Sequence, residues 1–286
     1  MPTSFGTRIE QAFAKYGQLC VGVDPHAQLL EDWGLQPTVE GLRSFANAVL
    51  DASVDRVGFI KPQVAFFEKY GSQGFAVLEE FADRAAESEI LVIMDAKRGD
   101  IGSTMSGYFE AWLSKAAPFI CDALTVSPFL GVGSFAEVMS ESLERGKGLF
   151  VLAATSNPEG KSVQRARVGD ATLSQDILRQ LEEINAISTS AGSSLGSFGA
   201  VIGATQNLSA SGLSNIQSDA ELCTPILAPG FGAQGASLAD TKDLFQAGAA
   251  RVIASVSRSV LSAGATGLAA AIDSAKAELQ NGLHNA

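Results

Sequence analysis

The 286-residue sequence predicts a (β/α)8 barrel, and three observations lead there. Eight short apolar, β-branched runs recur along the chain, stretches of helical periodicity lie between them, and no Pro- or Ser-rich linker divides it. Strands alternating with helices imply βαβ units and a parallel sheet. Eight such units favour closure into a barrel, with residues 1–286 as a single domain. A doubly wound Rossmann-type sheet is the alternative, because it alternates in the same way.

The strands read as LCVGVD (19–24), VGFIKP (57–62), ILVIMDAK (90–97), DALTVSP (122–128), GLFVLAATS (148–156), GAVIGAT (199–205), TPILAPG (224–230) and RVIASVS (251–257). Several are continuous apolar runs, as expected of parallel strands covered on both faces. Helical periodicity shows in VEGLRSFANAVLDA, GFAVLEEFADRAAES, TLSQDILRQLEEINAI and the closing TGLAAAIDSAKAELQ. Residues 4–16 read as an extra helix that closes the bottom of the barrel. The longest connection, 157–198, ends in STSAGSSLGS and reads as a flexible loop before the sixth strand.

Composition narrows the function. Apolar residues make up 46% and charged residues 18%, which supports a sizeable core and argues against disorder. A net charge of −11 argues against nucleic acid or an anionic membrane surface as partner, since phosphate backbones need a basic stripe. A small anionic substrate in a locally positive pocket remains compatible. Cys20, Cys121 and Cys223 are odd in number and widely spaced, so buried thiols in a reducing cytoplasm are expected. With His284 in a polar tail and His26 reading as a turn former, a histidine-rich metal site is not expected. The start lacks a basic-then-apolar signal segment, and no apolar run approaches the ~20 residues of a membrane span.

Barrel enzymes keep their catalytic groups at the C-terminal ends of strands. Here strand one ends in Asp24, strand two in Lys61, and strand three in Asp95 and Lys97, with Asp100 just beyond. Asp95 and Lys97 are two apart, so on a strand they face the same way, toward the mouth. Lys61 comes from the neighbouring strand on the same rim, and Asp100 follows Gly99 in a turn that reaches sideways. Each neighbouring pair of opposite charges at ~4 Å is worth roughly 4 kcal/mol before desolvation is subtracted. The plainer readings are a loop ion pair for D-x-K and a turn former for Asp24-Pro25.

The last two strands point to an anion. Strand seven runs into PGFGAQG, whose glycines can offer backbone N–H groups with Gln234 as a side-chain donor. Strand eight runs into SVSRSVL, which puts Arg258 at the start of the next helix. An ordinary turn and a solvated arginine are the plainer alternatives. Gly230 to Gly235 also fits G-x-G-x-x-G, but it follows strand seven and no acidic residue ends the next strand, so a dinucleotide site is disfavoured. Gly160-Lys161-Ser162 mimics a Walker A ending, yet Thr155 stands where its first glycine is required.

DAKRGDIGST (95–104) resembles the signature of the orotidine 5'-phosphate decarboxylase family, in its longer bacterial branch. VGVDP with Asp24, FIKP with Lys61, ATSNPEG with Ser156, APGFGAQG with Pro229, Gly230 and Gln234, and SVSRS with Arg258 resemble it too, in the same order. The resemblance implies a homodimeric, cofactor-free and metal-free barrel that converts orotidine 5'-monophosphate to UMP and CO2. It implies Lys97 as proton donor to pyrimidine C6, Asp95 against the departing carboxylate, and Asp24 and Lys61 at the ribose hydroxyls. Asp100 and Thr104 would reach into the partner's site, Ser156 would read the pyrimidine, and Gln234 and Arg258 would grip the phosphate. Two departures are a serine at position 103, where an asparagine is common, and the length of the 157–198 stretch. Rival readings are a Mg2+-dependent phosphosugar decarboxylase, an NAD-dependent oxidoreductase built around GFGAQG, and a nucleotide-binding barrel without catalysis.

Overall fold

The computed structural model describes residues 2–189 and 193–284, so residues 190–192, part of the STSAGSSLGS stretch of the 157–198 connection expected as a flexible loop, lie outside the described residues. Eight strands form at the eight apolar runs: β1 Leu19–Val23, β2 Phe59–Pro62, β3 Leu91–Arg98, β4 Ala123–Val126, β5 Gly148–Ala154, β6 Phe198–Ile202, β7 Ile226–Pro229 and β8 Val252–Val256. Each pairs in parallel with its neighbours in chain order, and β8 closes back onto β1 through Leu19–Ala254 and Cys20–Ser255. Closure removes the Rossmann alternative, because a doubly wound sheet keeps two open edges.

Alternation along each strand divides the apolar side chains into two layers. Outward positions such as Ile60, Val92, Met94, Leu124, Val151 and Ala200 pack under the surrounding helices. Inward positions such as Cys20, Phe59, Ile93, Ala123, Phe150, Val201, Leu227 and Ile253 fill the barrel itself. A Cβ on Gly199 would lie 2.3 Å from the Phe150 ring, so the bare glycine on β6 is what admits that ring from β5.

The N-terminal helix α1, Phe5–Tyr16, starts where Ser4 accepts a hydrogen bond from the Thr7 amide at 3.2 Å. Its fully buried Phe5 and Ile9 join the inner cluster, and the Phe5 ring meets Phe150 edge-on at 6.1 Å. It approaches so closely that a Cβ on Gly6 would sit 2.0 Å from the Leu195 carbonyl. The barrel is thus plugged from below, as expected. The helices read from periodicity form at Val39–Ser53, Gly71–Ala86, Leu173–Ser188 and Gly264–His284.

Three details differ from expectation. The 157–198 connection carries a short helix, Gly160–Gln164, and a small antiparallel ladder, Arg167–Val168 with Ala171–Thr172, ahead of its long helix. His284 ends the last helix rather than a loose tail, because Leu279 is buried and Gly282 lets the helix lie against the Ala239 backbone. Cys20 and Cys121 are buried free thiols, but Cys223 is only part-buried, its Sγ donating to Glu182 at 3.3 Å. Among the described residues no helix is long and apolar enough to cross a membrane.

Phe150→Ala is expected to destabilise the fold by roughly 3–5 kcal/mol through the cavity it leaves in the plugged interior. Denaturant titration of the variant measures this, and a loss under about 1 kcal/mol would show that the inner layer collapses to fill the gap.

Candidate active site

Climbing β2, β3 and β4, the inward positions change from apolar to polar near the C-terminal end. Phe59 is followed by Lys61, Ile93 by Asp95 and Ala123 by Thr125. Lys61 and Asp95 are 7% and 9% exposed, so both charges sit at the wall rather than in bulk water. The Lys61 ammonium donates to Asp95 Oδ2 at 3.0 Å, and the Lys97 ammonium donates to Asp95 Oδ1 at 2.6 Å. One carboxylate therefore carries an ammonium on each oxygen, which is the juxtaposition expected of positions 61, 95 and 97.

Burial pushes the Asp95 carboxyl up, but Lys61 and then Lys97 outweigh it and hold the group well below the usual carboxylate range. Burial likewise pulls Lys61 down, while Asp95 and then Asp24 more than offset it and leave the ammonium above the usual lysine range. Beneath Lys61, the buried Cys20 thiol is pushed up to about 12, chiefly by burial. It stays a thiol and adds no negative charge to the array at neutral pH.

Lys97 does not continue a regular strand. The register of β3 against β4 runs Met94–Leu124 and then Arg98–Val126, so Asp95 to Lys97 stand opposite Thr125 alone. Lys97 takes a left-handed backbone, φ 49°, that bulky residues avoid. Its amide donates to Thr125 Oγ1 at 3.0 Å, and that hydroxyl donates to Asp95 Oδ1 at 2.8 Å. A second anchor is Gln63, whose Oε1 accepts from the Lys97 ammonium at 3.2 Å. Sequence reasoning missed both. Gln63 had a signal, since it follows Lys61 by two, as Lys97 follows Asp95; Thr125 had none, being uncharged inside an apolar run.

Asp24 lies just past β1. Its charge acts on Lys61, and its Oδ1 is buried without a hydrogen-bond partner among the described residues. The same is true of Ser257 Oγ, which follows β8. Both side chains lie around Gly22, where a Cβ would meet Ser257 Cβ at 3.0 Å and Asp24 Oδ2 at 3.5 Å. His26 is a turn former as expected: its Nδ1 accepts from the Leu29 amide at 3.3 Å and caps a short helix.

Across the mouth, Ser156 after β5 donates to Gln234 Oε1 in the loop after β7 at 3.0 Å. In that loop Gly230, Gly232 and Gly235 all adopt positive φ. The Gly232 and Gly235 amides donate inside the loop, to Ala236 and Gly232 carbonyls, so they are less free for an anion than the sequence suggested. Arg258 is exposed and begins the short helix Arg258–Leu261, and its guanidinium has no ion pair or hydrogen bond among the described residues. Asp100 accepts from the Ile101 amide at 2.8 Å, and Thr104 is exposed on the helix Gly102–Trp112. The sequence-named residues thus fall at the ends of β1, β2, β3, β5, β7 and β8, all on one rim.

A closed eight-stranded parallel barrel with a lysine–aspartate–lysine chain at its C-terminal mouth is an α/β-barrel enzyme. The chain belongs to the orotidine 5'-phosphate decarboxylase / HUMPS family, whose model matches residues 17–272. It is 50% identical over 259 residues to the Streptomyces coelicolor protein named orotidine 5'-phosphate decarboxylase, covering 90% of this chain and 89% of that one. A crystal structure from Streptomyces avermitilis assigned to the same enzyme superposes with a TM-score of 0.91 at 46% identity, covering 99% of this chain and 96% of that one. The Leishmania donovani OMP decarboxylase matches at a TM-score of 0.68 and 26% identity, covering 96% and 99%.

Asp95→Asn is expected to lower stability by roughly 3–5 kcal/mol at pH 7, because it strands the buried Lys61 ammonium. The depressed Asp95 contributes stability above about pH 4 and loses it as pH falls further; the raised Lys61 contributes below about pH 10 and loses it as pH rises. The gap between parent and variant should therefore be widest in the mildly acidic range, narrow as pH falls and Asp95 takes up a proton, and narrow as pH rises and the variant's unpaired Lys61 sheds its proton. Urea titrations across pH check this; a gap that widens steadily as pH rises would contradict the assigned charge states.

Proposed function

We propose that this chain is an orotidine 5'-phosphate decarboxylase that releases CO2 from orotidine 5'-monophosphate and leaves UMP, a step of pyrimidine nucleotide biosynthesis. The observation that carries this reading is the Lys61–Asp95–Lys97 array, with Lys61 and Asp95 buried and Lys97 open at the mouth of a barrel half identical to a named decarboxylase. Loss of CO2 leaves a lone pair at C6 with no adjacent electron sink. A fixed ammonium beside that carbon stabilises the developing charge and then supplies the proton. Lys97 fits this role, being held by Asp95 and Gln63 while its side chain is 43% exposed at the mouth. The reaction then calls on no metal or organic cofactor.

The remaining residues take roles that suit their places. Asp95 lies where the substrate carboxylate would meet like charge, a ground-state effect added to the electrostatic one. Asp24 Oδ1 has an unfilled acceptor that a ribose hydroxyl satisfies, with Lys61 alongside. Ser156 and Gln234 already touch and bracket the base and phosphate ends of the nucleotide, with Pro229 and Gly230 forming the floor of the loop between them. Arg258 brings an unpaired guanidinium to the phosphate.

The proposed assembly is a homodimer. The loops after β3 and β4 meet where a Cβ on Gly99 would lie 2.6 Å from the Ser127 carbonyl, and they expose Ile101 (60%) and Phe129 (84%). Covering these apolar side chains with a second copy would carry Asp100 and Thr104 toward the partner's site. The expected location is the cytoplasm.

The deciding measurement is the loss of orotidine 5'-monophosphate absorbance in the presence of EDTA; a chelator-sensitive reaction would favour the Mg2+-dependent phosphosugar alternative. Lys97→Ala should lose turnover by about 10³-fold or more while still binding UMP, and normal turnover would remove Lys97 from its role. Arg258→Ala should raise KM by about 10-fold or more with a smaller effect on kcat, and an unchanged KM would take Arg258 away from the phosphate.

A further inference from the structure

Thr125 is 1% exposed, inward-facing on β4, and stands opposite the three residues that bulge from β3. Its hydroxyl has one proton and is bound on both sides by groups of fixed polarity. The Lys97 amide can only donate to it, and the ionised Asp95 can only accept from it. The direction of both hydrogen bonds is therefore set without ambiguity. Before the bulge the odd-numbered residues of β3 bond to the β2 side; the bulge turns the Lys97 amide toward β4, where the threonine hydroxyl accepts it in place of a ladder carbonyl.

We propose that Thr125 is a positioning residue for decarboxylation: it clips the β3 bulge and so fixes both the left-handed Lys97 backbone and the Asp95 oxygen that holds the Lys97 ammonium. This inference rests on the functional reading above. The same Asp95 oxygen receives Lys97 Nζ at 2.6 Å and Thr125 Oγ1 at 2.8 Å, so the hydroxyl steers the ammonium through the carboxylate as well as through the main chain. The link matters most after proton transfer. When Nζ gives its proton to C6 the amine is neutral and becomes a weaker donor to Asp95 Oδ1, whereas the Thr125 hydroxyl donates to the same oxygen unchanged. The carboxylate stays ionised and aligned until the amine takes a proton from solvent.

Neither partner can replace the clip from its own strand. Gln63 holds the ammonium from the β2 side but bonds to neither the Lys97 amide nor Asp95 through its side chain. Valine at 125 would keep the shape and remove both hydrogen bonds. Serine would keep both and remove only a methyl group.

The test compares parent, Thr125→Val and Thr125→Ser in kcat and KM for orotidine 5'-monophosphate across pH, together with the Kd of UMP. Thr125→Val should lose about 100-fold in kcat, keep its UMP affinity within about threefold, and show its acid limb moved to higher pH, because Asp95 has lost a donor. Thr125→Ser should stay within about fivefold of the parent. Unchanged kcat in the valine variant would overturn the proposal. So would a serine variant as slow as the valine one, or turnover and UMP affinity that fall together. Should the valine variant not fold, Thr125→Ala read against Thr125→Ser decides by the same criteria. A parent enzyme that leaves the substrate untouched sinks the functional reading and this inference with it, whereas an active parent with an equally active valine variant sinks only the role of Thr125.

Discussion

The Asp95 carboxylate, with Lys61 on one oxygen and Lys97 on the other, is the interaction on which the mouth of the barrel depends. An ammonium as enclosed as Lys61 would surrender its proton if it were alone, because burial penalises the charged form. Asp95 reverses that preference, and in turn keeps its own charge only because two ammonium groups face it. The array is worth little as a source of stability, since desolvation consumes most of the Coulomb gain. Its value is that no member can change protonation or move without disturbing the others, which is what a rigid electrostatic catalyst requires.

That rigidity is borrowed from the layers below. Phe59, Ile93, Ala123 and Phe150 pack the interior under the charges, and the Phe5 and Ile9 side chains of the N-terminal helix seal it from the bottom. The charged residues therefore stand on a filled core, not over a channel through which water could rise. Regular strand geometry is given up only at the last step, where β3 bulges at Asp95 to Lys97 and the backbone at Lys97 turns left-handed. Such a conformation costs about 1–3 kcal/mol and persists when its surroundings impose it. Thr125 and Gln63 are those surroundings.

The opposite half of the rim is built differently. It offers loops, exposed Arg258 and the Ser156–Gln234 contact instead of buried ions. The division suits a substrate with a reacting ring at one end and a phosphate at the other: the chemistry needs fixed charges, whereas gripping and releasing a dianion needs parts that can give. It also reconciles a net charge of −11 with an anionic substrate, because Lys61, Lys97 and Arg258 gather on the same rim.

The sequence by itself determined the strand count, the order of elements, the bottom-closing helix and the membership of the charged rim. These follow from periodicity and from where charges interrupt apolar runs, both local properties of the chain. D-x-K at a strand end pointed to Asp95 and Lys97 as neighbours, but they meet through the bulge and not by strand alternation. Tertiary structure alone decided that β8 meets β1, that Phe150 fits into the space left by Gly199, and that the loop glycines at 232 and 235 turn their amides inward. It alone brought Thr125 and Gln63 into the site. An uncharged threonine in an apolar run reads like any other strand residue, and only the shift of register across β3 and β4, a relation between distant segments, gives its hydroxyl something to hold.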